Sequence, residues 1–158
     1  MKKFIAVLLL FGVLALSGCG DSSGDTNNPN EGGSPDTKNE QLLYEDDKVK
    51  VTFIELYEEP SLPGNAYLRL KVENKSDKTV TVYLKDTYVN DMAQMMGTGV
   101  PIVLATGKSS QQPFFFGYGN LAITSKDEIT KLEFKVWLMD DNYDTVVETE
   151  SLVVELNK

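Results

Sequence analysis

YLRLKVENKSDKTVTVYL, Tyr67–Leu84, is the stretch that decides the fold class. Leu68, Leu70 and Val72 alternate with polar residues, and after the turn-forming run ENKSDK (73–78) the alternation resumes at Val80, Val82 and Leu84. Successive strand side chains point to opposite faces, so this spacing predicts two half-buried strands joined by a tight turn.

The same period governs the sequence on either side. VKVTF (49–53) and LEFKVWL (132–138) alternate in the same way, TVVETESLVVEL (145–156) is β-branched and strand-like, and VPIVLA (100–105) and PFFFGY (113–118) are shorter candidates. Turn signals separate them at PSLPGN (60–65), ATGK (105–108) and DDNYD (140–144). No window longer than ten residues follows a 3.6-residue period, so helices are single turns at most. Seven short strands with tight turns predict an all-β fold, an antiparallel immunoglobulin-like β-sandwich, ahead of an eight-stranded barrel. Its core is expected to be Val49, Val51, Phe53, Leu68, Leu70, Val72, Val80, Val82, Leu84, Phe114, Phe116, Leu132, Phe134, Val136 and Leu138.

Upstream of the strands the composition is of two other kinds. Met1–Gly18 has Lys2 and Lys3 followed by Phe4–Leu16, thirteen residues without a charge or a hydrogen-bonding side chain. At roughly 1.5 Å per residue these would reach about 20 Å as a helix, short of a ~30 Å hydrocarbon core, which is the pattern of a signal peptide. Leu16-Ser17-Gly18-Cys19 then resembles the lipobox of bacterial lipoproteins, in which the cysteine is acylated and becomes the new N-terminus. The resemblance implies residues 1–18 as signal peptide and Cys19, the only cysteine, as the lipidation site on the extracytoplasmic side of the cell membrane. Gly20–Gln41 has no apolar side chain in 22 residues and reads as a flexible linker, giving 19–41 as anchor and tether and 42–158 as the folded domain.

Charge and residue types exclude several functions. There are 24 acids, 15 bases and no histidine, for a net charge of −9. Loss of Lys2 and Lys3 with the signal peptide makes this 24 against 13, or −11. A chain this acidic lacks the basic footprint of a nucleic-acid binder. Without histidine it lacks the commonest neutral-pH base and the usual zinc ligand. With Cys19 acylated, only carboxylates or a serine–lysine pair would remain for catalysis. Acids cluster at Asp46-Asp47, Glu58-Glu59 and Asp140-Asp141-Asp144, all at strand ends, where they usually bond to nearby backbone. The expectation is a non-enzymatic protein without a cofactor.

MDDNYD (139–144) raises calcium, with Asp140, Asn142 and Asp144 as weak candidate ligands. In EF-hand register Thr145 would replace the required glycine and Ser151 the bidentate glutamate, so a hairpin turn is the better reading. Met92, Met95 and Met96 raise Cu(I), but no histidine or further cysteine is present to share it. Trp137 and Met139 fall on the outward phase of their strand. Either a loop or Leu42-Leu43-Tyr44 covers Trp137, or Trp137 and Met139 form a contact patch with Phe115, Met95 and Met96.

KVKVTFIEL, LRLKVENKSDKTVTVYLKDTYVN, the Gly107-Lys108 turn, an aromatic strand followed by Leu121, and LEFKVWLMDDNYDT resemble together a family of Gram-positive envelope lipoproteins of unknown function. These carry an immunoglobulin-like domain related to secreted immunoprotective antigens. Asn74, Val89-Asn90 and Gly107-Lys108 match best, whereas DMAQMMGTGV (91–100) departs from the family pattern. The resemblance brings no catalytic residue. It implies a membrane-anchored, non-catalytic module that binds a protein or cell-envelope component. The alternatives are an accessory lipoprotein for a small solute or cation, and a carboxylate hydrolase.

Overall fold

A computed structural model describes Glu40–Leu156; Cys19, the signal peptide and nearly all of the linker lie outside the described residues. Within them the chain forms β1 (Gln41–Glu45), β2 (Val49–Tyr57), β3 (Asn65–Asn74), β4 (Val80–Val89), β5 (Met92–Ala93) and β6 (Val103–Leu104). It continues as β7 (Ser109–Gly117), β8 (Lys131–Met139), β9 (Thr145–Glu148) and β10 (Leu152–Glu155). The helices described are two single 3₁₀ turns, Tyr118–Asn120 and Lys126–Glu128. No described helix is long and apolar enough to cross a membrane.

All strand pairs are antiparallel and form two sheets. One has the order β1-β2-β3-β7. In the other, β8 and β4 lie side by side, with β9 and β10 along the free side of β8 and β5 and β6 along the free side of β4. Two long-range pairings, β3 with β7 and β4 with β8, interlock the sheets as an immunoglobulin-like sandwich requires. The seven expected strand positions are all present, and β1 and the two-residue β5 are additional. TVVETESLVVEL divides because Thr149 leaves the ladder: its hydroxyl accepts from the Val136 N–H at 2.9 Å while its own N–H bonds the Val136 carbonyl.

The alternation places the core. Every expected core residue is buried except Leu84, which is half-buried beside a register break between Lys85 and Tyr88. Phe114, Phe116 and Phe134 are the largest side chains removed from solvent. Burying one of them contributes about 1.5–3 kcal/mol. Ala66 and Val89 extend the buried faces of β3 and β4, and Met96, Leu104, Ile129, Leu152 and Val154 add to the interior from shorter or irregular segments.

Candidate functional site

The acidic clusters hold turns. In the β8–β9 hairpin, Asp140 Oδ1 accepts from the backbone N–H groups of Asn142 and Asp144, both at 3.0 Å, and Oδ2 receives Lys78 Nζ at 2.5 Å. The Lys78 ammonium holds the Asp140 carboxyl below its usual range, with burial opposing. Asn142 and Asp144 are exposed, and the left-handed residue is Tyr143 (φ +65°), not an Asp or Asn as the turn chemistry predicts. Among the described residues no three His, Cys, Asp or Glu side chains are grouped to hold a metal ion.

Asp46 likewise holds its own turn, whereas Glu58 bonds residues distant in sequence. Asp46 Oδ1 accepts from the N–H groups of Lys48 and Val49 at 2.8 and 2.7 Å; burial disfavours its charge, but these donors outweigh it and its pKa is lowered. Glu58 accepts from the Tyr118 hydroxyl at 2.5 Å and the Lys126 N–H at 2.8 Å, which lowers its pKa, while burial and then Glu58 itself raise that of Tyr118. A general acid needs the opposite direction at its carboxyl.

Asn74, Asn90 and Gly107, which the sequence singles out, are pins. Asn74 is fully buried: Nδ2 donates to the carbonyls of Lys78 (2.7 Å) and Leu104 (2.9 Å), and Oδ1 accepts from the Ser76 N–H and hydroxyl. Gly107, left-handed at φ +70°, donates its N–H to the Asn74 carbonyl. Asn90 Oδ1 accepts from the N–H groups of Thr130 and Lys131, fastening β4 to the segment before β8.

The expected contact patch comes apart into two groups on opposite faces. Phe115 lies between the core residues Phe114 and Phe116 and therefore faces outward from the β1-β2-β3-β7 sheet. There Tyr57, Tyr67 and Phe115 form one cross-strand row, with centroids 5.2 and 6.0 Å apart. Gly97 bridges Phe115 at the end of the row, and the Phe115 ring lies 3.3 Å from where a Gly97 Cβ would stand. Arg69 lies 4.5 Å over Tyr57 and pairs with Glu55. Met95, two residues before Gly97, is 87% exposed, whereas Met96 is in the core and unavailable to a partner.

Trp137 and Met139 face outward from the other sheet, between core residues of β8. Trp137 is half-buried, and β1 does not explain its cover, because Leu42–Tyr44 belongs to the opposite sheet. Its own sheet surrounds it instead. Tyr83 lies 5.9 Å from its ring, Lys85 Nζ sits 4.7 Å above it, and the indole N–H donates to Thr145 Oγ1 at 3.0 Å.

A groove of about 800 Å³ opens at the edge where β1 stops, bordered by Gln41, the end of β2, Lys126–Asp127, Ile129 and the end of β10. Nothing in the sequence pattern announces it, because it depends on where one edge strand ends.

No family model matches the chain, and no curated protein matches it. Among solved structures, a FixG-related protein from Vibrio parahaemolyticus is similar at 17% identity and a TM-score of 0.39, over 70% of this chain and 99% of that one. A likeness at that level carries no argument about function.

Proposed function

We propose that this chain is a lipid-anchored envelope protein whose immunoglobulin-like domain binds a protein or cell-envelope component without catalysing a reaction. The anchor rests on the lipobox resemblance at Leu16–Cys19 and the family on the resemblance through residues 47–156. The observation that carries the binding role is the outward row Tyr57–Tyr67–Phe115, bridged at its end by Gly97, with the exposed Met95 two residues before that bridge. Aromatic and methionine side chains grouped on an open face are what protein contact surfaces favour. The row also argues against a flat sugar platform, since Tyr57 and Tyr67 stack on each other at 24° and thereby occupy their ring faces.

Fractionation and crosslinking test the two halves. Wild type is expected in the membrane fraction at its mature mass, and Cys19→Ala uncleaved or shed. A photo-crosslinker at Met95 is expected to capture one partner in intact cells. Membrane retention of Cys19→Ala at normal mature mass would overturn the anchor, and a Met95 probe that captures nothing would overturn the binding face.

A further inference from the structure

β1 covers β2 only as far as Phe53, which Gln41 faces, while β2 runs on to Tyr57. From Ile54 to Tyr57 no described strand lies on that side of β2. The direction of its backbone groups follows from the ladder. The Phe115 N–H bonds Gly97 and so points away from β3; Tyr67, opposite Phe115, then turns its N–H toward β2, where it meets Tyr57. Tyr57 and Glu55 therefore bond β3, and the N–H and C=O of Leu56 point out of the sheet edge.

That edge forms one wall of the groove. Ile54, Leu56, Ile129 and Leu156 supply apolar lining; of the three acids at the rim, Glu55 is held by Arg69 and Asp127 holds Lys126 at 3.0 Å, which leaves the charge of Glu155 uncompensated. A second copy would bring the same acids against themselves.

We propose that the Ile54–Tyr57 edge is a strand-addition site for an extended, basic segment of a partner protein with alternating apolar residues. The inference rests on the partner-binding reading above and names the chemistry of the partner. Main-chain bonds to Leu56 supply affinity, while alternate side chains fall into the groove against Leu56 or onto the outer face beside Tyr57. Basic residues meet the acidic rim.

The test uses the full chain in uncharged detergent micelles and two acetylated, amidated probe peptides, KVKVKV and EVEVEV. With KVKVKV at about ten times its dissociation constant, hydrogen exchange at Ile54–Tyr57 should slow about tenfold. EVEVEV should have no effect, and an Asp127→Lys, Glu155→Lys variant, altered only at exposed side chains, should lose the response to KVKVKV. Protection at another edge, equal protection by both peptides, no protection, or an edge already protected without peptide would each overturn the proposal. A photo-crosslinker at Asp127 in intact cells separates this from the broader reading. Capture from Met95 but not Asp127 removes the groove and leaves the binding role standing, whereas capture from neither removes both.

Discussion

Asn74 and Leu104 stand 30 positions apart and are joined by a 2.9 Å bond from the asparagine Nδ2 to the leucine carbonyl. The same nitrogen reaches the Lys78 carbonyl, so one buried amide ties the β3–β4 turn to β6. Asn74→Asp is nearly isosteric but removes both donors. It is expected to cost about 3 kcal/mol, since each buried carbonyl left unpaired costs ~1–3 kcal/mol. The midpoint of urea unfolding measures it, and a change below about 0.5 kcal/mol would refute the role assigned to Asn74.

Gln112 is the converse case. It lies inward on β7, 2% exposed, and neither its Nε2 nor its Oε1 has a protein partner among the described residues. Gln112→Met keeps the volume and removes two polar atoms from the core, so stability should rise by about 1–2 kcal/mol. A fall in melting temperature would show that the amide is satisfied in solution.

These two side chains mark how far the sequence can be read. Strand phase was legible because alternation separates inward from outward, and that alone located the core from Val49 to Leu138. Alternation does not say which sheet an outward residue leaves, so Phe115 and Trp137 could be grouped in one patch when they lie on opposite faces. Met96 was misassigned because its loop has no period, yet Gly97 pairs with Phe115 and turns Met96 inward. β1 escaped notice because QLLYE does not alternate; its register shifts between Leu42 and Tyr44. Asn74 was visible as a matching residue, but its partner at Leu104 lies beyond any local pattern.

The Lys78–Asp140 pair predicts a pH dependence with a definite sign. Lys78 lowers the Asp140 pKa, and Asp140 raises that of Lys78. A lowered carboxyl stabilises the fold above its unfolded value, about 4, and this is lost as pH falls through the folded value. A raised lysine stabilises below its unfolded value, about 10.4, and this is lost as pH rises through the folded one. The melting temperature of Asp140→Asn should therefore fall furthest below wild type between about pH 5 and 10 and converge on it in acid. Because Lys78 is half exposed, added salt should narrow the gap. Millimolar calcium should leave the wild-type melt unchanged, since both Asp140 oxygens already accept bonds. A rise that is lost in the Asp140→Asn, Asp144→Asn double variant would overturn the hairpin assignment.

Trp137 and Phe115 are expected to part company when each is truncated. The Trp137 indole N–H is bonded to Thr145, its ring lies under Lys85, and Tyr83 flanks it, so its interactions are spent within its own sheet. Trp137→Ala should lower stability by about 2 kcal/mol through lost packing and the lost cation–π contact, with partner capture intact. Phe115 is 38% exposed, its ring lying beside Tyr67 and over Gly97 at the sheet surface, so Phe115→Ala should melt within about 1 kcal/mol of wild type and lose capture. The two variants are compared by thermal melt and by crosslinking from Met95. If Trp137→Ala folds normally and loses capture while Phe115→Ala retains it, the partner sits on the β8 face, and the Tyr57–Tyr67–Phe115 row is not the contact surface.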